Sequence, residues 1–408
     1  MKKVAILLTC ESFEVFYERV MGLDKFTYLE SYRSDWSWDY ALGLQENGID
    51  VIIYVTSIKH SGFYKTQDGF KVRFIPLDIW FKIIGRRLTS KLYLVVKKPI
   101  APIVTFLQEL MAVNACKNAL KIALKEDNIS LLYVQEYWTT RFDFLVNRIQ
   151  IPIIGADHGG NDSIAIKSNK IKTFPKALKL TCQTLEETEK VKSYGADAIY
   201  LPNGVDTDFF CPLASESRSL DKTILTVARL TDDQKRTSDL IRALVHLDST
   251  WTLDIAGVGP DLKLLQNLAA QLQVSERVRF LGFIKDKTQL REKYRHCSVY
   301  AMPSAREGLP LAALEAMSCG AAVVSSDISA FNRIVRNEIN GIQVPVGEPL
   351  ALAQAILKCY ENREIYGKES RKIAIESHSR NQVFSLLAAI INSAHSPVST
   401  VSEVMDIV

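Results

Sequence analysis

Pro303-Ser304-Ala305-Arg306-Glu307-Gly308-Leu309-Pro310-Leu311-Ala312-Ala313-Leu314-Glu315-Ala316-Met317-Ser318-Cys319-Gly320 is the most informative stretch of the chain. It follows the apolar run Val299–Met302 and reads as a strand, a loop and a short helix. Pro310 suits the first helical position, where a missing N–H costs nothing, and Gly320 suits the C-terminal cap. Free amides at such a helix start form a ready anion site. Glu307 stands in the loop before the helix. Glu315 stands about a turn and a half inside it, roughly 7–8 Å further along the axis. Two carboxylates therefore flank a position suited to an anion.

Outward from this stretch, short apolar runs alternate with longer helical patterns, which signals a parallel α/β sheet. The second half gives strands at Thr223–Val227, Trp251–Ala256, Val278–Leu281, Val299–Met302 and Ala322–Ser325. The first half gives Val4–Leu8, Val51–Val55, Val72–Ile75, Leu131–Val134, Ile153–Gly155 and Leu178–Cys182. Helical patterns lie between them, among them Trp38–Asn47 closed by Gly48, and Val113–Lys125. The series restarts after Leu201-Pro202-Asn203-Gly204-Val205-Asp206, which is turn chemistry. Two Rossmann-like domains are expected, residues 1–203 and 204–377, with a helix at about 378–395 returning to the first. The length of 408 residues agrees, because a single core stops growing at roughly 250–300. Open α/β sheets bind ligands at the carboxyl ends of their strands, so a ligand is expected in a central cleft faced by both domains.

The Glu307…Glu315 spacing, with its Pro-Ser, its Gly and its small-residue helix, resembles the Glu-x7-Glu motif of family-4 (group 1) glycosyltransferases. Those are retaining enzymes of the GT-B fold. The resemblance implies that Glu307 contacts a donor sugar and Glu315 the ribose hydroxyls, with a diphosphate near the helix start. The family commonly has Gly where this chain has Pro310. Proline cannot donate, so the amides of Gly308, Leu309 and Leu311 remain to hold the diphosphate. After the strand Thr223–Val227 come Arg229 and Lys235, cations that would stabilise a departing diphosphate more than the bound donor. They match the family's Arg/Lys pair, while helical geometry turns Arg236 away. In Ile154-Gly155-Ala156-Asp157-His158-Gly159-Gly160 the resemblance makes His158 a contact of the donor sugar. It also places Gly257 and Gly259, in the turn Ala256-Gly257-Val258-Gly259-Pro260, along the nucleotide pocket. Thr9-Cys10-Glu11-Ser12-Phe13-Glu14 departs from the family, having no glycine; an acidic, bulky loop suits an acceptor better than an anion. The likeness is close over Thr223–Leu350 and only in outline over the first half. Asp206-Thr207-Asp208 spells a metal-binding Asp-x-Asp, but its place in the inter-domain turn reads as coincidence.

Composition adds bounds. Hydrophobic residues make up 47% and charged residues 24%, ordinary for a soluble protein, and a net charge of +4 does not imply a nucleic-acid partner. Seven scattered cysteines without a CxxC pair fit free thiols in a reducing compartment. The apolar start ends at Cys10-Glu11, too short for a signal peptide, and no run reaches the roughly 18–20 residues of a membrane span. A cytoplasmic location is expected, with the inner membrane face as a peripheral site. The reason is Trp80–Lys98, where Trp80, Ile84, Leu88, Leu92 and Val96 recur every four residues beside Lys82, Arg86, Arg87 and Lys91. That pattern suits an anionic lipid surface or an ordinary core-facing helix. The activity implied by the resemblance is retaining transfer of a sugar from a nucleotide-diphosphate sugar to a carbohydrate or lipid-linked acceptor. The setting would be polysaccharide, lipopolysaccharide or glycolipid assembly, with neither metal nor cofactor beyond the donor. A sugar phosphorylase or nucleotide-sugar epimerase of the same fold, and a non-catalytic partner subunit, are the alternatives.

Overall fold

Two parallel-rich sheets organise the chain, in a computed structural model that describes residues 2–8, 12–33, 35–78, 101–157, 167–213 and 221–393. His158, the Trp80–Lys98 segment and Thr9, Cys10 and Glu11 lie outside the described residues. Contacts divide the chain into two units: Met1–Leu201 with the described residues from Phe384 on, and Pro202–Val383.

The first unit holds β1 (Lys3–Leu7), β2 (Asp50–Ser57), β3 (Gly62–Lys65), β4 (Lys71–Pro76), β5 (Leu131–Gln135), β6 (Ile153–Ala156), β7 (Lys179–Cys182) and β8 (Ala198–Tyr200). Its sheet runs β3-β4-β2-β1-β5-β6-β7-β8, parallel except for β3 against β4. Buried on both faces, the central strands read as continuous apolar runs, which is why Val51–Val55 is legible. The helices are α1 (Lys25–Glu30), α2 (Trp36–Glu46), α3 (Ala101–Glu126), α4 (Thr140–Arg148), α5 (Lys167–Thr173) and α6 (Leu185–Ser193). Asp35 caps α2 by accepting from the Ser37 amide at 2.9 Å. Gly48, at φ +76°, closes it: its amide reaches the Gln45 carbonyl, and that of Ile49 reaches Leu44. No atom would obstruct a Cβ there, so the glycine answers to φ rather than to space.

The second unit holds β9 (Thr223–Val227), β10 (Thr252–Ala256), β11 (Val278–Gly282), β12 (Val299–Met302), β13 (Val323–Ser326) and β14 (Gly341–Val344). Its helices are α7 (Asp232–Lys235), α8 (Thr237–Ala243), α9 (Leu262–Gln271), α10 (Lys287–His296), α11 (Leu311–Ser318), α12 (Pro349–Glu361) and α13 (Arg363–His378); α14 (Arg380–Ser393) continues into the first unit's residues. The strand order is β11-β10-β9-β12-β13-β14, all parallel. Alternate residues feed two cores: Ile224, Val299, Ala301 and Val324 on one face, Leu225, Tyr300, Met302 and Val323 on the other. The winding reverses between β9 and β12, and the carboxyl ends of those two strands form the switch point where such sheets bind ligands. Three strands escape the sequence reading, β3, β8 and β14, and each is an edge strand.

His378 ends α13 and is 2% exposed; its carbonyl accepts from the Val205 amide at 2.8 Å. Burial, then the charges of Arg333 and Arg336, pull its pKa down to about 4 against a backbone bond at Asn203 that raises it. An unfolded histidine titrates near 6.5, so between the two values the unfolded chain binds the extra proton. Stability is then full above about pH 6.5 and is lost as pH falls toward 4, by roughly 3 kcal/mol in all. Hydrogen exchange at the Val205 amide is expected to lose protection over that window, and His378→Gln to flatten the dependence. An equal decline in the variant would assign the loss to other groups.

Candidate active site

At the end of β9 the chain runs through Arg229 into α7, whose last residue is Lys235. Arg236 then breaks the helix at φ +51°, a left-handed conformation costly for a side chain with a Cβ. The break is held by a fork from Arg236 to Asp239, Nε and one terminal nitrogen at 2.9 and 3.0 Å. Arg236 is thereby spent locally, while Lys235 points to the neighbouring strand end. From the end of β12 the loop 303–310 is strapped onto α7: the Ala305 amide donates to the Gln234 carbonyl at 2.8 Å, and Gln234 Nε2 to the Arg306 carbonyl at 3.2 Å. These straps bring Glu307 against Lys235, whose ammonium donates to both carboxylate oxygens at 2.6 and 2.8 Å. The side chains are 16% and 7% exposed, so the pair is shielded yet reachable.

Pro310 is the N-cap of α11, with φ −75° and ψ 110°, rather than the first helical residue that the sequence suggested. An extended ψ fits the loop's turn into the helix, and a cap position asks for no N–H from the proline ring. Among the described residues the amides of Gly308, Leu311 and Ala312 donate to no protein acceptor, leaving an anion-ready helix start. The Leu309 carbonyl accepts from buried Asn203 Nδ2 at 2.6 Å, a clamp the sequence reading missed although it lies in the quoted Pro-Asn-Gly turn. At the other end Gly320, φ +77°, closes α11 through Gly320-to-Met317 and Ala321-to-Ala316 bonds. Glu315 lies between, and Tyr294 donates to its Oε2 at 2.8 Å.

The remaining sequence candidates fall in different places. Arg229 is exposed, and its guanidinium pairs with nothing among the described residues. Gly257 and Gly259 pack on the protein itself: a Cβ on them would come within 1.9 Å of the Ala228 carbonyl oxygen and 2.2 Å of that of Leu230. Their first task is thus to let the β10 turn lie against the chain leaving β9, as the Leu230-to-Val258 bond at 3.0 Å records. Asp206 pairs with Arg380 at 2.9 Å and accepts from the Phe209 amide. Glu14 accepts from Ser57 and from the amides of Ile58 and Lys59. Burial would raise its pKa, but those donors together hold it below the ordinary value. No disulfide joins the described cysteines, and none of the described helices is long and apolar enough to cross a membrane.

Residues 214–378 match the model of the family described as glycosyl transferases group 1. The phosphatidyl-myo-inositol mannosyltransferase of Mycobacterium leprae is 31% identical over 218 residues, covering 52% of this chain and 56% of that protein. The D-inositol 3-phosphate glycosyltransferase of Xylanimonas cellulosilytica is 30% identical over 197 residues, covering 43% and 47%. The chain spans about half the length of the curated relatives it matches. In fold it is similar to sucrose-phosphate synthase from Thermosynechococcus elongatus, with a TM-score of 0.74 at 16% identity over 96% of this chain and 99% of that one. Anabaena Alr3699/HepE, solved with UDP, gives a TM-score of 0.67 at 16% identity over 96% and 100%. These likenesses agree with the expected fold class, two Rossmann-like α/β units of the GT-B kind.

Proposed function

We propose, from the match of residues 214–378 to the group 1 glycosyl transferase family, that the chain transfers a sugar, with retention, from a nucleotide-diphosphate sugar to an acceptor hydroxyl. The observation that carries the reading is the Lys235–Glu307 pair at the β9/β12 switch point, with Glu315 inside the helix α11 that follows the Glu307 loop. A bound donor would divide the pair. Glu307 accepts hydroxyls of the sugar, while Lys235, Arg229 and the start of α11 face the diphosphate and Glu315 takes the ribose. The bond from the anomeric carbon to the diphosphate oxygen breaks, and the acceptor oxygen bonds that carbon on the same face. The acceptor proton passes to the departing phosphate. Negative charge grows on the leaving group, so fixed cations favour the transition state over the ground state.

Solved neighbours in complex with UDP support the nucleotide donor. The names of the mycobacterial relatives, together with the basic apolar pattern of Trp80–Lys98, support a lipid-linked acceptor met at the inner membrane face. Incubation with a panel of nucleotide sugars, scoring nucleotide release with and without lipid-linked acceptor, separates the readings. Release only with acceptor is expected; a phosphorylase would yield sugar phosphate, an epimerase would need no acceptor, and a partner subunit would release nothing. Glu315→Ala is expected to weaken nucleotide binding by roughly 1.5–3 kcal/mol, the worth of hydrogen bonds to a charged group. Unchanged affinity by isothermal titration would remove Glu315 from the ribose site.

A further inference from the structure

Behind Glu315 stands a phenol that sugar transfer itself does not call for. Tyr294, on α10, is fully buried, and its hydroxyl donates to Glu315 Oε2 at 2.8 Å. The Tyr294 ring is held edge-on by Phe210, with centroids 6.0 Å apart at 74°, and by Tyr300, at 5.8 Å and 62°. Its hydroxyl therefore has one place to go. Burial, and then the charge of Glu315, raise the phenol's pKa well above its ordinary value, so it remains a donor. A carboxylate carries two oxygens and about four acceptor positions. One charge-assisted donor from the core fixes its rotation and leaves capacity for a vicinal diol. A glutamate without that anchor has three side-chain torsions to order each time a ligand binds.

We propose that Tyr294 is a positioning residue that presets Glu315 for a ribose diol, and so makes this site select ribonucleotides over 2′-deoxyribonucleotides. The proposal rests on the ribose assignment of Glu315, and its discrimination comes from the same source as other sites built to bond a hydroxyl: without the hydroxyl, buried polar groups are left unpaired. Supporting residues of this kind act through geometry, so their loss shows in the interaction they orient and not in the chemistry.

The test is isothermal titration of the full chain with UDP, GDP and ADP, each beside its 2′-deoxy counterpart. Tyr294→Phe, which keeps the ring and its packing, is expected to weaken the preferred ribonucleotide about tenfold, weaken the deoxy form, which keeps only the 3′-hydroxyl, by less, and so narrow the ratio. Tyr300→Phe removes a neighbouring buried phenol whose hydroxyl bonds no side chain, and is expected to keep the wild-type ratio. In the double variant Tyr294→Phe/Glu315→Ala the phenol is expected to have no further effect on the ratio. Equal weakening of both forms by Tyr294→Phe would reduce the residue to packing, and an unchanged ratio would overturn the proposal directly. If Glu315→Ala retained the wild-type ratio, or wild type preferred no ribonucleotide, the ribose assignment itself would fall and the proposal with it.

Discussion

Lys235→Ala is expected to lower turnover by about a hundredfold or more while changing donor affinity little, the pattern of a lost transition-state contact. The expectation follows from where the ammonium sits. In the fold it is committed to both oxygens of Glu307, at 2.6 and 2.8 Å, so its charge already has a partner before a donor arrives. Exchanging Glu307 for a donor phosphate gains little on binding. As the sugar–oxygen bond lengthens, charge moves onto the diphosphate, and the gain from a fixed cation grows. The alanine variant also leaves Glu307, 7% exposed at its side chain, without its ammonium partner. Lys235→Arg keeps the charge but replaces a point ammonium by a planar fork, and intermediate activity is expected. Wild-type activity is expected to survive EDTA, because Lys235, Arg229 and the α11 start supply the positive field. A loss of less than about fivefold in Lys235→Ala would leave the lysine as a structural clamp. Activity abolished by chelation and restored by a divalent ion would replace the protein's charges with a metal's.

What could be read beforehand follows from where chemistry leaves a mark on sequence. The central strands of both units are covered on both faces and read as nearly continuous apolar runs, so Thr223–Val227 and Val299–Met302 are found to the residue. Edge strands carry no such demand: β3 is mostly exposed and β8 is three residues long, and neither leaves an apolar run. Glu315 is legible because a helix converts spacing into position, and Glu307 and Lys235 because each follows a legible strand. The side chains that hold the site are not. Asn203 reaches Leu309 across more than a hundred residues, and Tyr294 reaches Glu315 from another helix. No local pattern encodes either bond. The glycines show the opposite limit, since a Gly-rich turn signals close approach without saying what approaches. At Gly257 and Gly259 it is the protein's own main chain.

Lys170 is the clearest case of a residue whose importance the sequence hides, and its removal is expected to have the largest effect on stability. It stands in Lys167-Ser168-Asn169-Lys170-Ile171-Lys172, a polar and basic stretch whose composition gives no sign of burial. In the fold its side chain is fully buried, and the ammonium donates to the carbonyls of Tyr137 and Thr139 at 2.8 and 2.7 Å and to Asp143 Oδ1 at 2.9 Å. It ties the turn after β5 to α4 and α5 at once. Burial lowers the ammonium's pKa and raises that of the Asp143 carboxyl, and each is opposed by the other's charge. Lys170→Ala would leave the carboxylate with the Thr173 hydroxyl alone and take one donor from each of two carbonyls. Breaking a buried pair from one side costs about 3–5 kcal/mol, a large share of the roughly 5–15 kcal/mol of a domain. Lys170→Met/Asp143→Leu removes both charges beside the rings of Phe142 and Phe174, and is expected to recover most of the loss. The donor that each of the two carbonyls loses keeps it about 1–3 kcal/mol short. Urea unfolding of the wild type and the two variants reads the difference. A double variant no better than Lys170→Ala would mean that the carbonyl bonds, and not the charge pair, hold this turn.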